Sequence, residues 1–139
     1  MTRKKILIVE DEAVIRELMT RTLGAEGWSV ETAENGRVAL DRVAVRAPDL
    51  ILLDLMMPEM DGFQFVEEVQ RHKEWRTIPI VVVTAKTITE EDRLRLDGFV
   101  QKVLQKGAYG REELLGEVRK LVVSFARQQG RSQAEEERA

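Results

Sequence analysis

Short, wholly apolar runs alternate with longer stretches in which apolar residues recur every three or four positions. Ile6 to Val9, Leu50 to Leu53 and Ile80 to Val83 are unbroken apolar runs, the pattern of strands buried on both faces of a parallel sheet. Trp28 to Thr32 and Lys102 to Leu104 supply two shorter strands. Between them, Ile15, Leu18, Met19, Thr22 and Leu23 fall at helical spacing and stop near Gly24 and Gly27. Asn35 offers an N-cap oxygen to a second helix carrying Ala39, Leu40, Val43 and Ala44, which Pro48 closes. A loop through Met56, Met57 and Pro58 leads to Asp61-Gly62 and a third helix with Phe65, Val66 and Val69 facing inward, and Trp75 to Pro79 reads as linker.

Thr89-Glu90-Glu91-Asp92 has capping-box spacing, with Asp where Glu or Gln is preferred. The fourth helix it opens offers mainly Leu94 and Leu96 to a core before Asp97-Gly98, and is expected to be short, polar and among the less stable elements. The clearest amphipathic stripe follows in Leu114, Leu115, Val118, Leu121, Val122 and Phe125. Gly130 is expected to end that helix. Residues 1–127 form one domain on this reading, and 128–139, with nothing larger than Ala among its apolar residues, a disordered charged tail.

Five strands alternating with five helices, joined by right-handed crossovers, predict an α/β doubly wound parallel sheet with helices on both faces. The flavodoxin-like order 2-1-3-4-5 sets the first and third strands side by side at the switch point, where ligands bind beyond the strands' carboxyl ends. Glu10, Asp11 and Asp54 become neighbours in that order. Three acids in one crevice resist joint ionisation, so a cation, a proton or a lysine must offset them, and such strain marks a functional site.

Composition narrows the classes. A chain of 139 residues that is 43% hydrophobic can pack one domain. A formal charge of −3 and no basic stripe argue against nucleic-acid binding. No cysteine is present, which removes disulfides, thiolate metal sites and thiol nucleophiles and accords with a cytoplasmic setting. The apolar runs are far below the roughly 20 residues that cross a bilayer, so no membrane role is expected.

Ile8-Val9-Glu10-Asp11-Glu12, Leu53 to Gly62, Val83-Thr84-Ala85 and Gln105-Lys106 together resemble, in order and spacing, the signatures of the response-regulator receiver domain, over roughly residues 4 to 125. The resemblance is to single-domain, chemotaxis-type regulators, with some similarity around Leu96 to Tyr109 to receivers of hybrid sensor kinases. It implies a two-component or phosphorelay switch rather than an enzyme in the ordinary sense. Asp54 matches the phosphoacceptor, a carboxylate nucleophile that takes a phosphoryl group from a kinase histidine and holds it as an acyl phosphate. Glu10 and Asp11, with Asp54 and the main-chain carbonyl of Met56, match the Mg²⁺ site. Lys106 matches the lysine that pairs with Asp54 and then with its phosphoryl group, and Thr84 the hydroxyl that binds a phosphoryl oxygen and draws its loop inward. The implied partners are a sensor histidine kinase or histidine phosphotransfer protein as donor and an unknown downstream protein reached by contact, since no output domain is expected after residue 127.

Two departures shape further expectations. The family's lysine usually precedes a cis proline; here Gly107 follows, so a trans bond and a differently shaped loop are expected. Val103 stands where an aromatic often couples to the switch threonine, which leaves transmission to the fourth helix and its loops, residues 86–99. Met56 and Lys86, each two residues past a key position, match sites that tune acyl-phosphate lifetime. Taken singly, each acid is an ordinary solvated loop residue, Thr84 a strand-end hydroxyl, Lys106 a surface charge and His72 a surface residue. Three other readings compete. An aspartate-nucleophile phosphohydrolase wants a second Asp where Met56 stands, and a phosphorylation-independent docking module would lack one of the five matched residues. A flavodoxin relative would need a Ser/Thr/Gly-rich phosphate loop where Asp11-Glu12-Ala13 lies.

Overall fold

The computed structural model describes residues 4–138, with side chains described as far as Phe125. Its elements are β1 (Lys5–Val9), α1 (Ala13–Ala25), β2 (Ser29–Ala33), α2 (Gly36–Val45), β3 (Leu50–Leu53), α3 (Gly62–Arg71), β4 (Ile80–Thr84), α4 (Glu90–Leu96), β5 (Lys102–Gln105) and α5 (Arg111–Arg138), with a 3₁₀ turn at Lys106–Ala108. All four ladders are parallel and the strand order is β2-β1-β3-β4-β5, the doubly wound arrangement expected from the alternating pattern. Five strands running one way put Val9, Leu53 and Thr84 at a common edge, which fixes where the loops bearing polar residues meet.

Because successive residues of a strand face opposite ways, each unbroken apolar run feeds two cores. Leu7, Val9, Ile51, Leu53, Ile80 and Val82 pack with Ala39 and Val43 of α2, Phe65, Val66 and Val69 of α3 and Leu96 of α4. Ile6, Ile8, Leu50, Leu52, Val81, Val83 and Leu104 pack on the other face with Ile15, Met19 and Leu23 of α1 and Leu114, Val118 and Val122 of α5. Trp28 is buried in this second core, so the bulk it contributes is structural. His72 is exposed, its ring 4.0 Å from that of half-buried Trp75.

The helix starts are where side-chain oxygens can take the first orphan N–H groups. Asn35 Oδ1 accepts from Val38 N at 2.9 Å. Asp61 and Gln64 close a reciprocal capping box on α3, and Thr89 and Asp92 close one on α4 despite the shorter Asp. α1 has no such device, since its N-cap residue Glu12 makes no side-chain capping bond.

Three boundaries and one face depart from the sequence reading. β2 is displaced by one residue, because Trp28 is drawn into the second core and Ala33 pairs with Val9. Leu94 does not help bury α4: it is 72% exposed, leaving Leu96 as the one fully buried apolar residue of that helix. The backbone of α5 passes through Gly130 to Arg138 instead of stopping there. A mid-helix glycine costs only about 1 kcal/mol, and the Arg, Gln, Ala and Glu residues around it are good helix formers. The side chains of the expected tail, 128–139, lie outside the described residues.

Candidate functional site

The site is assembled from loops leaving β1, β3, β4 and β5 at the carboxyl edge. Pairing of Val9 with Leu53 places the residues that follow them, Glu10 and Asp54, side by side, and Asp54 N donates to Val9 O at 3.0 Å. Asp54 is 4% exposed and Glu10 2%, while Asp11 lies out in solvent. Carboxylate oxygens of Glu10, Asp11 and Asp54 all lie within 4.8 Å of one another.

Asp54 is held from both sides. Its Oδ1 accepts from the Thr84 hydroxyl at 2.8 Å and from Met56 N at 3.1 Å. Its Oδ2 has a single longer contact, 3.4 Å to Lys106 Nζ. The same ammonium approaches Glu10 Oε1 at 2.5 Å. Thr84, fully buried at the end of β4, also accepts from Lys86 N at 3.2 Å, so one hydroxyl joins the acid on β3 to the loop entering α4. The structure brings Glu10, Asp11, Asp54, Thr84 and Lys106 together, and Met56 adjoins them through its N–H on Asp54 while its side chain is exposed.

The electrostatics follow from burial. Loss of water raises the Glu10 carboxyl to about 8, and repulsion from Asp54 adds to this against the lowering by Lys106. Burial by itself would lower the Lys106 ammonium, but its hydrogen bond to Glu10 and the charges of Glu10, Asp54 and Glu12 outweigh it and hold the group above its usual value. With all three ionised, the carboxylates against one ammonium leave two negative charges, the charge of one divalent ion. The donors are all hard oxygens, a set that suits Mg²⁺ and not a thiophilic metal. Asp11, Met56, Met57, Asp61, Phe63 and Lys86 border an open cleft of about 470 Å³ beside these acids, room for a phosphoryl group with its water.

Two features keep this geometry in place. A Cβ added to Gly62 would lie 2.6 Å from Asp54 O and from Leu55 Cα, so only glycine lets α3 start this close to the loop that carries Asp54. The Lys106–Gly107 peptide is trans, as the missing proline predicts, and the chain turns there through the 3₁₀ segment.

Sequence reasoning missed the partner of one side chain and the whole of another. Lys86, singled out for its place two residues past Thr84, does not reach into the acid cluster: its Nζ is 2.6 Å from Asp92 Oδ2, in the first turn of α4. Arg16 of α1 reaches back to main-chain carbonyls of the β1–α1 loop. A basic residue six positions from its acceptor leaves no periodic signal, although a helix start without a cap was a cue that something else must hold the loop.

A parallel 2-1-3-4-5 sheet with acids, a lysine and a hydroxyl gathered at its carboxyl edge is the layout of a signalling receiver. The chain belongs to the response-regulator receiver domain family, whose model matches residues 6–119. Response regulator MprA of Mycolicibacterium vanbaalenii is 37% identical over 118 residues, covering 85% of this chain and 50% of the relative. The chain thus spans about half the length of the curated relatives it matches. Among solved structures, chemotaxis protein CheY4 of Vibrio cholerae superposes with a TM-score of 0.73 at 32% identity, covering 86% of this chain and 98% of that one. Response regulator TrrA of Thermotoga maritima, in complex with Mg²⁺ and BeF, gives 0.69 at 34% identity, covering 85% and 98%. Receiver domains are signalling switches rather than enzymes in the ordinary sense. No helix among the described residues is long and apolar enough to cross a membrane.

Proposed function

We propose that this domain is a phosphorylation switch in which Asp54 accepts a phosphoryl group from the phosphohistidine of a sensor kinase or phosphotransfer protein. The observation that carries the reading is the convergence on Asp54: two other carboxylates within 4.8 Å, a lysine on one oxygen and a buried hydroxyl on the other. Oδ1 is occupied by two hydrogen bonds, so Oδ2 is the oxygen with a lone pair to give. It attacks phosphorus, the O–P bond forms, the N–P bond of the donor breaks, and the departing imidazole keeps the electron pair and takes a proton from water.

Glu10, Asp11, Asp54 and the main-chain carbonyl of Met56 would hold Mg²⁺. That ion supplies neutralisation of the acids and of the incoming phosphoryl oxygens. Lys106, already within reach of Asp54 Oδ2, pairs with the new phosphoryl charge. The Thr84 hydroxyl exchanges its carboxylate acceptor for a phosphoryl oxygen, and because its oxygen also accepts from Lys86 N, the loop into α4 is pulled with it. The altered α4 region then changes contact with a downstream protein.

The test is covalent. Incubated with acetyl phosphate and Mg²⁺, the wild-type chain should gain the mass of one phosphoryl group, and Asp54→Ala should gain none. Equal labelling of both, or sustained hydrolysis of phosphate esters, would remove the phosphoacceptor role.

A further inference from the structure

We infer that Arg16 is a positioning residue for the metal-binding acids, acting through the backbone rather than through the ion or the phosphoryl group. The inference rests on the reading of Glu10 and Asp11 as Mg²⁺ ligands.

Glu10 and Asp11 lie between the end of β1 at Val9 and the start of α1 at Ala13, so their direction depends on how that short loop is tied down. The strand side is fixed, since Glu10 N donates to Ala33 O at 3.0 Å. The helix side lacks the usual tie: Glu12 at the N-cap makes no side-chain bond, and no acidic residue lies in the first turn. Arg16 fills that gap. Its Nη1 donates to Glu10 O at 2.7 Å and, at a longer 3.4 Å, to Asp11 O. One guanidinium therefore holds the carbonyls of both residues whose carboxylates meet Asp54. Arg16 is itself anchored, because its main chain is bonded at both ends: Arg16 N donates to Glu12 O at 2.9 Å and Arg16 O accepts from the Thr20 hydroxyl at 2.7 Å.

The side chain does not share the acids' cleft. It lines a separate one, with Thr32, Glu34, Val38 and Arg42, between α1 and α2, whereas the mouth beside Asp54 is bordered by Asp11, Met56 and Lys86. A cation in this place cannot replace the metal or touch a phosphoryl oxygen. What it does is freeze two backbone units whose carboxylates repel each other and would turn apart in a looser loop. Partners that orient ligands in this way are worth about 10- to 100-fold in metal affinity.

The experiment measures Mg²⁺ binding directly by isothermal titration calorimetry on wild type, Arg16→Met, Arg16→Lys and Asp54→Ala, together with the phosphorylation rate from acetyl phosphate as a function of Mg²⁺. Arg16→Met keeps the stem and loses the fork; it should weaken Mg²⁺ binding about 10-fold or more and raise the half-saturating Mg²⁺ for phosphorylation by the same factor. At saturating Mg²⁺ its rate should stay within about twofold of wild type, a split that a residue touching the phosphoryl group would not give. Arg16→Lys, with a charge that can reach one carbonyl, should fall between, and it carries the comparison if the Met variant does not fold. Unchanged Mg²⁺ affinity in folded variants, whatever their melting temperature, overturns the role of Arg16 and leaves the switch intact. A wild-type chain that binds no Mg²⁺ and takes no phosphate overturns both.

Discussion

Glu10 shows how much one buried carboxylate constrains the domain. With its pKa raised to about 8 from an ordinary 4.5, the folded state without metal holds a proton that the unfolded chain releases at lower pH. The sign follows: between about pH 4.5 and 8 the native state binds more protons than the denatured one, so this residue's contribution to stability falls as pH rises through that window, by at most about 1.4 kcal/mol per pH unit. In EDTA, urea melts of wild type should therefore lose stability relative to Glu10→Gln as pH goes from 5 to 8. A constant difference between the two proteins across that range would contradict the burial cost assigned to Glu10. Glu59 is a smaller stress at this scale, a non-glycine residue at φ 65° in the loop between β3 and α3. Asp54, Thr84 and Lys106 were readable in the sequence because each directly follows or ends a strand. The pairing of Lys86 with Asp92 was not, because the choice among acids near a lysine is made by the turn of the β4–α4 loop, which no local pattern encodes.

Among the α-helices, α4 is the shortest. It is seven residues long, buries Leu96 as its only large apolar side chain, and exposes Leu94. Its anchors are polar: the Thr89–Asp92 box, the Lys86 ion pair, and Arg95, which pairs with Glu67 at 2.9 Å and stacks over the Phe63 ring at 4.3 Å. Asp92 is depressed below its usual pKa chiefly by Lys86, so its contribution is present above about pH 4 and is lost on acidification. Removing the cap with Thr89→Ala should cost about 1 kcal/mol and speed amide exchange in Glu90–Leu96 before any other helix. On phosphorylation, residues 86–99 should show the largest change in exchange of any segment, because the Thr84 hydroxyl that bonds Asp54 is also bonded to Lys86 N. Identical exchange there with and without phosphate would break that link. The sequence placed this helix's cap correctly but assigned Leu94 inward; two leucines in seven residues do not determine a face until packing against the sheet and α3 decides which one fits.

At the scale of the molecule, most of the packing lies apart from the chemistry. Two apolar layers flank the sheet, and neither contains Glu10, Asp11, Asp54, Thr84 or Lys106, although Phe63 of the first layer also borders the cleft. Phe65→Ala, deep in the layer under α3, should cost about 3–5 kcal/mol, a large share of the roughly 5–15 kcal/mol of a domain this size. Below the midpoint of its urea transition the variant should still take one phosphoryl group at Asp54; loss of labelling in the folded variant would mean that packing and site are coupled. The topology was legible because unbroken apolar strands between amphipathic helices admit few arrangements. The continuation of α5 past Gly130 was not, since a glycine among good helix formers stops a helix only when the following residues prefer another path.

Parallel strands also give the domain a back. β1 enters at Lys5, whose buried ammonium is tied to Arg46 O and Glu31, and leaves at Val9 beside the acids, about 13 Å further on. A dye, tether or affinity handle should therefore be joined ahead of Lys5, at the end of β1 opposite Asp54, where it is expected not to obstruct the proposed approach of a phosphodonor protein.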